Sequence, residues 1–293
     1  MAVKTSSAKV AGEPRFTEYI NNQERLPYWA RSTNPIVRRH LGLYWRTIPP
    51  EFTPFVIIFL VWAVLLLIGM LFPPFFSITM ITYLASIMII PLSMLLYGHV
   101  LLTIAIDSSR AMQQEFANNT FQLLQATPMT LPQILLGKVA AAMWRRMDDL
   151  VMIAQLALAF TPPIAFTIYA DFFPRSTHTI AAAPILTLIA ALVVIARIFL
   201  EPIMIGVVSV FIGVVVPGKG RSISAAVVIG VFYFLLINLL SRLPSVRGFD
   251  SPEGAIPANG TLVILTDFVI PVLVPILVIF GVLKLAEIML QQD

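Results

Sequence analysis

The chain has 293 residues, of which 58% are hydrophobic and 12% charged, with a mean hydropathy of +0.90. This composition excludes a soluble globular protein, because too few polar residues remain to cover its surface, and the lack of cysteine excludes disulfides and thiolate sites. Continuous apolar runs near or above the ~18 residues that span a bilayer recur along the chain. They predict an all-α polytopic membrane protein and exclude a porin-like barrel.

The predicted domain plan has three parts. Residues 1–33 form a polar cytoplasmic tail, residues 34–50 an interfacial amphipathic elbow helix, and residues 51–293 a single six-span transmembrane domain. Within it, residues 107–149 form a cytoplasmic segment between spans 2 and 3, and residues 241–261 an external loop. The spans are predicted at residues 55–72, 76–106, 150–168, 180–216, 223–240 and 262–283.

The elbow prediction depends on the run NPIVRRHL at residues 34–41. Asn34-Pro35 is a helix-start pair, and Arg38 and Arg39 lie apart from the apolar residues, which suits a helix in the lipid headgroup region. The alternative is a plain basic flank beside the membrane.

Basic residues are distributed unevenly among the predicted loops. Of the 19 Lys and Arg residues, fifteen fall on the side of the two termini, three on the other side, and Arg197 within a span. This asymmetry is the positive-inside pattern, so both termini are predicted to be cytoplasmic, in a multi-pass protein of the cell membrane that contacts anionic lipid. The high isoelectric point is thereby explained without a nucleic-acid partner.

Prolines within spans 3 and 4 make it harder to predict whether each span is one continuous helix. The run Thr161-Pro162-Pro163 is predicted to break the last third of span 3. Residues 180–216 carry Pro202 near their middle and are too long for one ordinary crossing, so they predict either one kinked span or a half-helix that returns, followed by a true span.

Charged residues within the spans are candidates for function, because they are costly at membrane depth. Arg197 and Glu201 are four residues apart and predict an intramembrane ion pair, which either serves function or fixes packing at the Pro202 kink. Asp267 and His99 are weaker candidates. No catalytic, metal-binding or cofactor-binding constellation is predicted.

A phosphate-loop near-match is dismissed. Gly213, Gly218 and Lys219 match G-x-x-x-x-G-K, but Gly220 stands where a hydroxyl must hold magnesium, and the motif follows a membrane span rather than a strand. The chain is therefore not predicted to be an ATPase, or any other enzyme.

Two motifs resemble the permease subunits of type-2 ABC exporters. NPIVRRHL is similar to the start of that family's elbow helix, and TFQLLQATPMTLPQILLGKVAAAMWR, at residues 120–145, is similar to its cytoplasmic segment after span 2. The resemblance implies a coupling helix between spans 2 and 3 that contacts a separate nucleotide-binding ATPase subunit. The residues it assigns to this contact are Thr120, Phe121, Gln122, Leu123, Leu124, Thr127, Pro128, Gly137 and Lys138.

The resemblance also implies an assembly. ATP and magnesium are expected on the partner subunit and not on this chain, and a homodimer, or a heterodimer with a second permease, would enclose the pathway. The function expected is transport, in the export direction. The alternative from another class is a non-transporting scaffold or anchor subunit that keeps this fold in a larger membrane complex.

Overall fold

The computed structural model describes residues 26–31, 34–41, 52–72, 75–172, 181–216, 218–240 and 265–291. Within these ranges the structure is helical and contains no strand. The described residues form a 3-10 turn at Tyr28–Ala30, a π-helical turn at Leu265–Val269 and nine α-helices. These are α1 Pro35–Leu41, α2 Thr53–Leu71, α3 Phe76–Ala117, α4 Phe121–Gln125, α5 Leu131–Trp144, α6 Met147–Phe172, α7 Ala182–Val215, α8 Lys219–Leu240 and α9 Ile270–Gln291.

In the part of the chain that the structure describes, six helical segments are long and apolar enough to cross a membrane. They are Thr53–Leu71, Ile81–Ala117, Met147–Ala170, Ala182–Val215, Gly220–Ile237 and Leu265–Met289. Large apolar side chains face outward along them, for example Leu60 at 54%, Leu95 at 71% and Phe280 at 69% exposure. Such surfaces are stable only against lipid or protein, so the prediction of an all-α polytopic membrane protein is confirmed.

Helices α3 and α7 form the centre of the bundle. Helix α3 packs on α6, α7 and α8, while α7 also packs on α9 and α5. The core contains side chains such as Leu101, Ile104 and Val210 that are almost fully buried. Helix α3 has 42 residues, roughly 63 Å of rise, against a hydrocarbon thickness of about 30 Å. It therefore continues well beyond span 2, into the first part of the predicted cytoplasmic segment.

The proline run in span 3 does not break the helix, so that prediction is wrong. Helix α6 continues through Pro162 and Pro163 to Phe172. Pro163 has no N–H to donate to the Ala159 carbonyl, but the Trp62 indole Nε1 donates to this oxygen at 3.1 Å. A neighbouring helix thus satisfies the acceptor that proline leaves open, which is how membrane helices tolerate proline.

Residues 182–215 form one continuous helix, α7, with Pro202 inside it. Of the two predicted alternatives for span 4, the half-helix that returns is therefore excluded. At its end, Gln113 Nε2 donates to the carbonyls of Gly213 at 2.5 Å and Val216 at 3.1 Å. The last turn of α7 is thus fixed to α3, and Gly218, with a φ of 93°, begins α8.

The N-terminal segment lies against α5. The apolar residues Ile36, Val37 and Leu41 of α1 are buried, and Trp144 Nε1 donates to the Ala30 carbonyl at 2.7 Å. The apolar side of α1 therefore contacts protein. Residues 42–50 of the predicted elbow, most of the tail at residues 1–33 and the external loop at residues 241–261 lie outside the described residues.

Close packing of α5 on α7 predicts a destabilising substitution. A Cβ at Gly206 would overlap Val139 Cγ1 and lie 3.2 Å from Cγ2. We expect Gly206→Ala to lower the free energy of unfolding by about 1–3 kcal/mol, measured by thermal unfolding in detergent. Gly281→Ala is the control, since nothing lies within 4 Å of its Cβ position and alanine favours a helix. Equal stability of the two variants would contradict the packing described.

Candidate functional site

The short helix α4 lies between the end of α3 and the start of α5. Asn119, with a φ of 53°, makes the turn after α3, and Phe121 is buried with its ring centroid 5.0 Å from that of Phe116. Gln122 and Leu123 point outward, and Leu123 is 69% exposed. Helix α4 is thus anchored through Phe121 and presents an apolar side chain on its outer face.

The residues after α4 shape the same surface. Leu124 and Thr127 are half-buried and Pro128 is exposed, while the Thr127 hydroxyl donates to the Leu124 carbonyl at 2.6 Å. Thr130 begins α5 with a capping box, in which its N–H donates to Gln133 Oε1 at 3.1 Å. The loop from α4 to α5 is therefore held by local hydrogen bonds.

A set of polar side chains, centred on the buried pair Glu115 and Lys138, joins α1, α3, α5 and the residue that precedes α4. We call it the junction cluster, and it consists of Arg39, His40, Glu115, Thr120 and Lys138. Glu115 and Lys138 are 2% and 0% exposed, and their charged atoms lie 3.1 Å apart. The Thr120 hydroxyl also donates to Glu115. The end of α3 is thereby fixed to the residue that precedes α4.

The other two members bring in the elbow helix. His40 Nε2 lies 3.3 Å from Glu115 Oε1 and 3.3 Å from Lys138 Nζ, and the half-exposed Arg39 lies 3.7 Å from Glu115. Lys138 Nζ also donates to the Ala111 carbonyl at 3.3 Å. Three helices and the residue that precedes α4 therefore meet at a single buried carboxylate.

Burial sets the protonation states in the junction cluster. It lowers the pKa of Lys138 to about 8 against the opposing effect of Glu115, so Lys138 is charged at neutral pH. Burial and then the charge of Lys138 lower the pKa of His40 to about 4, so His40 is neutral. The buried ion pair of the cluster is thus Glu115 with Lys138, the half-exposed Arg39 is a second cation near Glu115, and His40 contributes as a neutral polar group.

The lowered pKa of His40 predicts loss of stability in acid. Between the ordinary pKa of 6.5 and the folded value of about 4, the unfolded chain binds a proton that the folded chain does not. The contribution of His40 to stability is full above pH 6.5 and is lost as the pH drops towards 4, by up to about 3 kcal/mol. Thermal unfolding of the native chain and of His40→Gln across this range measures the effect, which the variant should lack. Parallel curves for the two proteins would contradict it.

The structure separates the residues that the resemblance assigns to one contact. Gln122, Leu123 and Pro128 are exposed around α4, whereas Gly137 and Lys138 are buried inside α5. A Cβ at Gly137 would lie 3.3 Å from Ile36 Cγ2, so α1 packs directly over this position. Of the elbow residues, Asn34 caps α1 by accepting from the Ile36 N–H at 2.9 Å, and Pro35, Arg38 and Arg39 are exposed.

A second buried polar group lies at the middle of the bundle. Arg197 Nε lies 2.5 Å from Glu201 Oε1, and Glu201 is fully buried. The Tyr97 hydroxyl donates to Glu201 Oε2 at 2.8 Å, and the Tyr233 hydroxyl donates to Oε1 at 3.0 Å. One arginine and two phenols from α3 and α8 therefore satisfy the carboxylate beside Pro202.

Sequence reasoning missed Glu115, Tyr97 and Tyr233 as members of these groups. A signal for Glu115 was present, since Lys138 is a lone charge in the apolar run at residues 131–144 and requires a nearby carboxylate. The two tyrosines had no such signal, because their contacts with Glu201 span 104 and 32 residues of sequence.

Comparison of the chain with protein-family models, with curated proteins and with solved structures finds no match.

Proposed function

We propose that this chain is the membrane permease subunit of an ABC-type exporter, driven by a separate ATPase subunit. The observation that carries the proposal is α4, a short helix between two spans with Leu123 exposed at 69%. Its base is fixed to α1, α3 and α5 by the junction cluster. An exposed apolar residue on a fixed support is suited to insertion into a cleft of another protein.

Force on α4 has a direct route into the membrane. Helix α3 extends from the junction cluster through the bundle and packs on α6, α7 and α8. A change in the position of α4 would therefore move α3 and α5 as a unit, provided that the two states of the partner differ in their contacts with α4. The proposed contact consists of Gln122, Leu123, Leu124, Thr127 and Pro128, with Thr120, Phe121, Gly137 and Lys138 as its support.

The remaining parts of the proposal follow the resemblance and the charge distribution. Both termini are cytoplasmic in a cell membrane, so α4 faces the compartment that supplies ATP. ATP and magnesium bind the partner, and a second permease, of the same or a related chain, completes the pathway. Arg38 and Arg39, exposed on α1, contact anionic headgroups.

Reconstitution tests this function against the scaffold alternative. The chain is purified from native membranes in mild detergent, and the complex is placed in vesicles with ATP and magnesium. A permease is expected to co-purify with a nucleotide-binding subunit and to support ATP-dependent movement of solute across the vesicle membrane. A stable assembly without any nucleotide-binding subunit would favour the scaffold and reject the permease.

A further inference from the structure

A cavity of about 790 Å³ lies among α3, α6, α7 and α9, apart from the junction cluster. Its walls are mainly isoleucine, valine, alanine, methionine and proline side chains, for example Ile90, Met94, Ala157 and Val194. Small-molecule sites in proteins have volumes of roughly 300–1,000 Å³ and mostly apolar walls. The cavity therefore has the size and lining of a ligand site.

The cavity is elongated in the direction of the helices. Along α6 its lining runs from Ile153 to Tyr169, a rise of about 24 Å, and along α3 from Ser86 to Tyr97, about 16 Å. The hydrocarbon region of a bilayer is about 30 Å thick. The length of the cavity thus matches that of an extended alkyl chain and exceeds that of a compact solute.

Polar groups lie mainly at the two ends of the cavity. At one end are Tyr97 and Arg197, near the middle of α7, where Glu201 balances the arginine charge. At the other are Tyr169 and Asp267, near the end of α6 and the start of α9, with the Tyr169 hydroxyl donating to the carboxylate at 3.2 Å. This second end is the one near the membrane surface.

The two serines of α3 that line the cavity do not require a polar ligand. The Ser86 hydroxyl donates to the Thr82 carbonyl at 2.7 Å, and the Ser93 hydroxyl donates to the Ile90 carbonyl at 2.8 Å. Ile87 lines the cavity and is also 46% exposed on the outside of α3. The wall beside Ile87 therefore reaches the surface that faces lipid, and hydrocarbon chains are the medium available to enter.

We propose that this cavity binds a single alkyl chain of a membrane amphiphile. The alkyl chain enters beside Ile87 and lies along α6, and the head group of the amphiphile is at the Tyr169–Asp267 end. Since a scaffold protein can bind such a ligand as well as a permease can, the site does not depend on the proposed transport function.

Photolabelling tests the proposal. The full chain is reconstituted in phosphatidylcholine vesicles with a hexadecanol analogue that carries a diazirine at mid-chain, and labelled residues are identified by mass spectrometry. Labels are expected on residues of α6 and α7 that line the cavity. Ala190→Phe, which fills the space from α7, should remove most of this labelling, whereas Ile189→Phe, at the adjacent position that is 41% exposed, should preserve it.

Two further arms complete the test. Ala157→Phe fills the cavity from α6, so the experiment can be read even if Ala190→Phe fails to fold. Excess unlabelled hexadecanol should displace the probe, and cholesterol, being rigid and polycyclic, should not. Labelling confined to outward-facing positions such as Leu60 and Leu95, equal labelling of the Ala190→Phe and Ile189→Phe variants, or equal competition by cholesterol would overturn the proposal.

Discussion

Replacing Lys138 with methionine is expected to destabilise the protein by about 3–5 kcal/mol. Lys138 is fully buried and lies 3.1 Å from Glu115, whose side chain is 2% exposed. Without the ammonium group, the carboxylate keeps only the Thr120 hydroxyl, neutral His40 and the half-exposed Arg39 at 3.7 Å. Because removal of one member of a buried ion pair leaves an uncompensated charge, the loss should appear as a large drop in the thermal unfolding temperature in detergent.

Two further variants distinguish the effect of losing the buried ion pair from the effect of losing any lysine. In Lys284→Met the lost ion pair is with Glu287 at 3.1 Å, but Lys284 is 70% exposed, so a change below about 1 kcal/mol is expected. Neutralising both partners with Glu115→Gln in the Lys138→Met background should recover much of the stability, since no charge is then left buried. A Lys138→Met variant as stable as Lys284→Met would contradict the account of the junction cluster.

Replacing Leu123 with aspartate is expected to abolish ATP-dependent transport while leaving the fold intact. Leu123 is 69% exposed on α4, so an aspartate there remains solvated in the isolated chain, and stability should change by less than about 0.5 kcal/mol. In the complex the carboxylate would enter an apolar cleft. A loss of 2 kcal/mol or more is typical of a central interface residue, which corresponds to about 30-fold weaker binding of the ATPase subunit.

Gly220→Asp is the matched control for charge. Gly220 is exposed at the start of α8, and nothing lies within 4 Å of its Cβ position. The substitution adds the same carboxylate at an exposed position outside α4 and should preserve both ATPase binding and transport. If Leu123→Asp transported at the native rate, or if both variants lost transport equally, α4 would not be the coupling contact.

The hydrophobic pattern alone was sufficient to predict the six long apolar helices among the described residues, because a bilayer imposes a minimum length on each apolar run. It was insufficient where a distant residue determines local structure. Pro162 and Pro163 predict a break in the helix, yet α6 continues because Trp62, from α2, donates to the Ala159 carbonyl. Likewise, span 4 stayed ambiguous in sequence because nothing local shows whether Pro202 reverses the chain or sits within one helix.

The candidate site, too, could be predicted only in part from the sequence. Exposure of Leu123 follows from local pattern, since a short helix with a single aromatic anchor must leave one side open. The burial of Lys138 does not follow from local pattern, because it requires Glu115 from the end of α3 and His40 from α1 to lie next to Lys138. Long-range ion pairs of this kind depend on how whole helices pack, and the spacing of residues in the sequence does not show this packing directly.

Site-directed cross-linking at Leu123 tests whether α4 contacts a nucleotide-binding subunit. The chain has no cysteine, so Leu123→Cys carries a single thiol on the exposed face of α4, and Gly220→Cys provides the control. Each variant is expressed in its native membranes and treated with a thiol-reactive photo-cross-linker, and the partner is identified by mass spectrometry. If α4 is the coupling contact, Leu123→Cys, and not Gly220→Cys, will attach to a protein with a phosphate-loop motif. Attachment of Leu123→Cys only to proteins without a nucleotide-binding site would contradict that role for α4.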